Sequence, residues 1–466
     1  MKKFAIAKLI PSVAGIAGIL CLFLWYADSP ADLQERVSGT DGRVGHAIEE
    51  EYSNVFEGTL QQFDGTPAEM DGSWPRFRGE NSDAVFTDET VRLATQWPQN
   101  GPELLWDIEV GEGYAGAAVL NGRVYVLDYY RDRQADVLRC LSLADGMDIW
   151  QYSYPVKVKR NHGMSRTVPA VTDKYVVSLG PKCHVICLDS QTGRSYWAMD
   201  LVKQFGSEVP MWYAGQCPII DRQTAIIAPA GSALMIAVDC ATGEIIWQTP
   251  NPDKWKMTHS SIMPMEYNGQ RMFVYCGSDG VVGVSAENGK VLWQTTEWKL
   301  RINTPSPLII GDGRIFLSAG YNKGSMMVQL IEDAQGSGFQ VETLFHLEPE
   351  IFGAAQHTPI LFEGYIYGVR PDEQMVCLDL SGNVIWTSGS DHKFGIGPFT
   401  IADGMIYAMD DHGLLRLIEA KPDGYQQLAE AQVLDGPDSW GPMACAGNKL
   451  ILRDMNRMKC LLVGAN

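Results

Sequence analysis

Imidazole, guanidinium, amide and indole groups recur in short polar segments at 159–166, 211–216, 257–261, 301–304, 354–357, 391–394 and 438–440. The candidate binding residues there are Arg160, His162, Arg166, Trp212, Gln216, His259, Arg301, Asn303, Gln356, His357, Lys393 and Trp440. Cations and imidazoles hold anions through charge-assisted hydrogen bonds, and indoles add a stacking face. These types suit an anionic small molecule, a carbohydrate such as a sugar acid, or the tail of a protein partner. The plainer alternative is that loop tips in water carry polar residues for solubility. No catalytic residue is assigned: the chain shows no hydrolase triad motif, paired zinc-ligand motif or phosphate loop. Cys183, His184 and Cys187 are metal-ligand types, but a tight strand pair there points to a structural role, so no metal residue is assigned.

A repeat places these segments. An apolar strand, a turn with Asp or Gly, and a strand ending in Trp recur at 140–150, 186–197, 236–247, 282–293 and 376–386. The Trp spacings are 44 (106 to 150), 47 (150 to 197), 50 (197 to 247) and 46 (247 to 293). The step from Trp293 to Trp386 is 93, two repeats, with Phe345 standing in for the missing Trp. A period in the forties built of short strands is the mark of propeller blades. Thr-Gly and Asn-Gly pairs supply the positive φ of tight hairpins. A second recurring hairpin, Pro-x-apolar and then an aromatic or β-branched run, begins near 117, 168, 217, 263, 306, 358, 397 and 441. Eight first hairpins predict eight blades. The chain ends on a third strand, Met458–Val463, while an orphan strand, Glu103–Ile108, stands near the start. The ring is therefore expected to close by pairing the two ends, which removes open sheet edges. The polar segments are then the loops into each blade's innermost strand, so they face one central funnel.

The repeat resembles that of the pyrroloquinoline-quinone (PQQ)-type propellers, which include quinoprotein alcohol dehydrogenases and the propeller of the outer-membrane β-barrel assembly machinery. The resemblance covers roughly residues 74–466, and the leader Trp74-Pro-Arg-Phe-Arg-Gly79 looks like that of exported or membrane-anchored members. It implies an all-β, eight-bladed β-propeller of four-stranded antiparallel blades. As an enzyme the family would imply PQQ with calcium in the funnel. Its dehydrogenases carry adjacent cysteines over the cofactor, and here no two Cys are adjacent. Trp212 or Trp440 could form a cofactor floor, but no residue matches the calcium or catalytic positions by motif. The cofactor stays unknown. The favoured expectation is a non-catalytic binding or scaffold propeller, with a PQQ-dependent dehydrogenase as the alternative.

The net charge of −19 argues against nucleic acid, whose phosphates need a basic face. Lys2, Lys3 and Lys8 precede the apolar run Leu9–Tyr26, long enough at about 1.5 Å per residue to cross a bilayer core. Residues 1–26 are thus expected as an uncleaved N-terminal transmembrane helix, with the remainder in the periplasm or extracellular space. A cleaved signal peptide is the alternative. Residues 27–73 read as an acidic flexible linker with one short helix near 44–63, residues 74–101 as a leader packing on the propeller, and 102–466 as the propeller. Cys140, Cys187, Cys377 and Cys460 share one register in four blades, too far apart to bridge, and read as buried thiols.

Overall fold

The computed structural model describes residues 58–465 apart from positions 70, 71, 89, 334, 335, 337 and 437, together with Ile16, Ile19, Leu20 and Leu22. Those four are helical and exposed. Otherwise the expected transmembrane segment lies outside the described residues, as does the expected short helix up to position 57. Among the described residues no helix is long and apolar enough to cross a membrane.

Within 53–466, eight antiparallel four-stranded sheets follow one another, and the first strands of successive blades adjoin one another. Blade 1 takes Ala118–Leu120, Arg123–Tyr130, Ala135–Ser142 and Asp148–Pro155. Blades 2 to 7 repeat that order, starting at Ala170, Ile219, Met263, Leu308, Ile360 and Phe399. Blade 8 combines Ala444–Ala446, Lys449–Arg453 and Arg457–Leu462 with β3, Glu103–Glu109, the third strand of the chain. Leu104 pairs with Leu461, Trp106 with Cys460 and Ile108 with Met458, so the ends close the ring as expected.

One local device recurs in all eight blades. The ladder between third and fourth strands shifts register at Cys140/Leu141, Cys187/Leu188, Ala237/Val238, Gly283/Val284, Met327/Val328, Cys377/Leu378, Leu417/Ile418 and Leu104/Trp106. Such a bulge re-aims the next side chain. In seven blades that side chain is the closing aromatic, and the residue opposite it is Cys, Ala or Gly in six of them. A small partner leaves room for the indole. At Gly283 an added Cβ would lie 2.0 Å from the Trp293 ring nitrogen. The indole then covers the hairpin of the next blade. Gly193, at φ 73°, would bring a Cβ within 2.7 Å of Trp150, so this turn needs glycine for both conformation and space. Trp106, Trp197 and Trp386 also donate from Nε1 to carbonyls of the following blade, Leu143 (3.0 Å), Cys240 (3.0 Å) and Lys421 (2.8 Å).

Blade 7 lacks the aromatic: Ala429 stands opposite Leu417. Trp97, from the leader, instead comes within 6.2 Å of Tyr407 of that blade.

Two further strands lie outside the repeat. β1, Thr59–Gln62, adds a fifth strand to the outer edge of blade 1. These residues were expected within the flexible linker, at the end of its short helix near 44–63, and they form a strand instead. Alternation decides the outcome, because Leu60 turns inward onto the core around Trp150 while its neighbours stay exposed. β2, Val85–Phe86, runs parallel to the innermost strand of blade 7. Between them the leader crosses the end of the ring that carries the hairpins Leu120–Arg123 and Ala402–Met405. Trp74 exchanges two 2.8 Å backbone bonds with Val119, Val171 N donates to Pro75 O, and the buried Arg78 donates to Thr358 O and Pro359 O at 3.0 Å each. The leader thus bonds to innermost segments of blades 1, 2, 6 and 7.

Hydrogen bonds also stitch neighbouring blades where the innermost strands begin. Val168 N donates to Cys217 Sγ (3.2 Å), Cys217 N to Ser261 Oγ (3.0 Å), Ser261 N to Ser306 Oγ (3.0 Å) and Ser306 N to Thr358 Oγ (2.8 Å). All nine described cysteines are free and buried.

Candidate functional site

The loops that enter the innermost strands share one face with the turns joining second to third strands. Sequence reasoning picks out seven of these loops. The eighth, Gly111–Gly116, follows β3 and is separated from one ring neighbour, the loop at 438–440, by almost the whole chain. It supplies Glu112 and Tyr114, two residues that motif reading missed.

Tyr114 joins the expected residues into an arc. Its ring lies 5.3 Å from that of Trp440, and its hydroxyl donates to Asp438 Oδ2 at 3.3 Å. The Arg166 guanidinium sits 5.2 Å over the same ring. Arg166 donates to the carbonyls of Trp212, Asn161 (3.0 Å) and His162 (2.8 Å). Trp212 lies 6.0 Å from the His259 ring, and His259 N donates to Asn303 O at 3.0 Å. One contiguous row therefore runs from blade 8 through blades 1 to 5.

The expected positive charge is offset within this face. Arg160 pairs with Glu112 at 2.6 Å and Lys393 with Glu373 at 3.2 Å. Arg166 stays cationic, but burial lowers its pKa to about 10 and three carbonyls take up its donors. Burial, helped by the Arg166 charge, pushes His259 down to about 4, so it is neutral at pH 7. His357 is likewise held at about 4, mainly by burial, while its Nε2 bonds Ile396 O at 2.6 Å.

Several expected residues take other roles or stand apart. Gln216 is buried with its amide bound both ways to Ala228, at 2.8 and 3.2 Å, so it braces blade 3. Asn303 is also buried. Gln356 and His357 line a small cleft with Gly395–Gly397 and Phe399, between blades 6 and 7. His162 and Arg301 are exposed. Trp440 donates to Asp411 Oδ1 at 2.7 Å, and the same oxygen accepts from Ile396 N at 2.9 Å. Asp411 was missed because it lies in a hairpin turn, where Asp is ordinary turn chemistry. The buried Arg453 was missed too; it donates to the carbonyls of Gly111, Ala115, Asp454 and Met455, fixing the eighth loop.

The face fits PQQ and calcium poorly. Its aromatic and guanidinium groups pack on one another, and the carboxylates named here already accept protein donors. Among the described residues no group of three His, Cys, Asp or Glu side chains is placed to hold a metal ion.

Ring, blade chemistry and loop arc define an eight-bladed PQQ-type propeller. Residues 133–388 match the family described as outer membrane protein assembly factor BamB, and the chain belongs to that family. The assembly factor BamB of Yersinia pestis is 23% identical over 268 residues, spanning 47% of this chain and 66% of that protein, just under two thirds of its length. The crystal structure of BamB from Moraxella catarrhalis superposes with a TM-score of 0.53 at 13% identity, over 77% of this chain and 99% of that one. Quinohemoprotein alcohol dehydrogenase from Comamonas testosteroni gives 0.59 at 11% identity, over 84% and 81%. At these identities the two structures establish the fold alone.

Proposed function

We propose that this protein is a non-catalytic binding and scaffold propeller that presents its loop arc to a protein partner. We also propose that a single N-terminal helix, Leu9–Tyr26, holds it on the membrane with the propeller in the periplasm or extracellular space. The observation that carries the binding reading is the arc from Trp440 through Tyr114 and Arg166 to Trp212 and His259. Along it Arg166 is bound to carbonyls, the neighbouring Arg160 is paired with Glu112, and His259 is neutral at pH 7. Of the partners the residue types allow, that composition favours a neutral, partly aromatic protein surface over an anionic small molecule. Family membership supports the scaffold role, since the matching relatives are named as outer-membrane assembly factors.

A photo-crosslinker replacing Trp212 in the full chain should capture one defined membrane-envelope protein. The same group at the exposed Glu266, at the hairpin end of blade 4's first strand and so on the opposite face, should not. Calcium-dependent dye reduction with PQQ and an alcohol would overturn the non-catalytic reading. Carbonate extraction tests the anchor: release of a chain beginning near Asp32 would mean a cleaved signal.

A further inference from the structure

A cavity of about 280 Å³ opens beside the leader, on the face opposite the loop arc. Trp74, Phe86 and Leu120 form its apolar walls, and Glu80, Asp88 and Asn121 stand among its polar groups. It is preformed: Trp74 is fixed to Val119 by its two backbone bonds, and Phe86 is fixed by pairing with Ala402. Two carboxylates line it and no basic side chain does, among the described residues. Asp88 Oδ1 accepts from Thr90, and Glu80 accepts weakly from Ser73 Oγ at 3.4 Å. Arg76 also faces Glu80, but its strongest charge partner is Asp221 of blade 3. The excess negative charge of the whole chain, −19, adds to the local field.

We propose that this cavity receives an arginine side chain from an extended, basic polypeptide segment of a partner. The aliphatic stem would lie along Trp74, Phe86 and Leu120, burying apolar surface while the head remains polar. The guanidinium would meet Glu80 and Asp88 through charge-assisted hydrogen bonds. An anion is repelled by both carboxylates, and a neutral donor meets them without the charge attraction. The site is formed by the leader, so it is separate from the loop arc and stands or falls independently of the scaffold reading.

Calorimetric titration of the full chain with a capped Gly-Arg-Gly peptide tests the proposal, with Gly-citrulline-Gly as the neutral isostere. The arginine peptide should bind with a Kd on the order of 1 mM, the citrulline peptide about tenfold more weakly. The double variant Glu80→Gln, Asp88→Asn should weaken the arginine peptide about tenfold, and Glu266→Gln should leave it unchanged. Raising salt to about 0.5 M should weaken binding further. Equal binding of both peptides, retention of binding by the double variant, or preference for a neutral trisaccharide would each overturn the proposal. Both substituted carboxylates are at the surface, and an unchanged thermal midpoint confirms that the variant is folded.

Discussion

Three strongly shifted side chains bear on how this ring should respond to pH between about 4 and 8. Asp136 of blade 1 is wholly buried, and its one polar neighbour is the Tyr154 hydroxyl beside Gly180 of blade 2, which offsets only part of the burial. Burial pushes its pKa up to about 8 from 3.8. The folded state therefore holds more protons than the unfolded one between those values, and stability falls as pH rises through that window. His259 and His357 act the other way. Their folded values near 4 lie below 6.5, so the unfolded chain binds more protons from pH 6.5 down to 4, and stability falls as pH falls there. Two groups outweigh one below pH 6.5, and Asp136 acts alone from there to about 8. These three groups together thus place maximum stability near pH 6.5. In denaturant titrations across pH, Asp136→Asn should remove the alkaline decline, and the paired variant His259→Gln, His357→Gln should flatten the acid side. An Asn variant that keeps the alkaline decline would show that Asp136 is ionised in the fold. Arg166 belongs to the same scale. Residue types alone suggest a solvated loop cation, but three carbonyls bind its guanidinium. Arg166→Ala should cost about 1–2 kcal/mol by leaving the part-buried carbonyls of Trp212 and Asn161 unpaired, whereas Arg160→Ala, which removes an exposed ion pair, should leave stability nearly unchanged.

The repeating elements were legible because their chemistry is local. The Trp at the end of a fourth strand, the Gly of the next hairpin and the small residue opposite the ring are all visible in the chain. Trp150 is fully buried against Gly193 and Leu60, so Trp150→Ala should cost about 3–5 kcal/mol in chemical denaturation. What the repeat could not show is how blade 7 manages without an aromatic. Ala429 occupies that register, and the contact to Tyr407 comes from Trp97, far away in sequence. β1 was illegible for a related reason: four residues with one inward Leu make too short a pattern to read against a polar background. If Trp97 replaces the missing aromatic, Trp97→Ala should cost about 1–3 kcal/mol, since the ring is only partly buried. Adding Ala429→Trp should recover part of that loss, because the bulge before position 429 already aims its side chain at the vacated space. No recovery would mean that Trp97 fills a different volume.

For the whole molecule, closure and the leader are coupled. β3 completes blade 8, and the residues just before it continue the same attachment to the C-terminus: Leu93 bridges Gly464, and Ala94 N bonds Val463 O at 2.9 Å. The leader then reaches the innermost strands of blades 7 and 1 through Phe86 and Trp74. Closure was legible because an orphan strand at each end can only be satisfied by the other. The loop arc was half legible. Its members could be placed by topology, but which cations are neutralised depends on Glu112, Glu373 and backbone carbonyls supplied by other loops and turns. This coupling predicts how the ring opens. Strand 103–109 and segments 457–462 and 85–94 should lose amide protection together, as one cooperative unit, in native-state hydrogen exchange. Blades 2 to 5, closed within continuous sequence, should open at higher free energy. Trp106→Ala removes the indole that bonds Leu143 O across the blade 8 to blade 1 seam, so it should lower protection in 103–109 and 457–462. Blade 4 should be unaffected by that change. Exchange of 103–109 independently of 457–462 would mean that the ends touch without locking the ring.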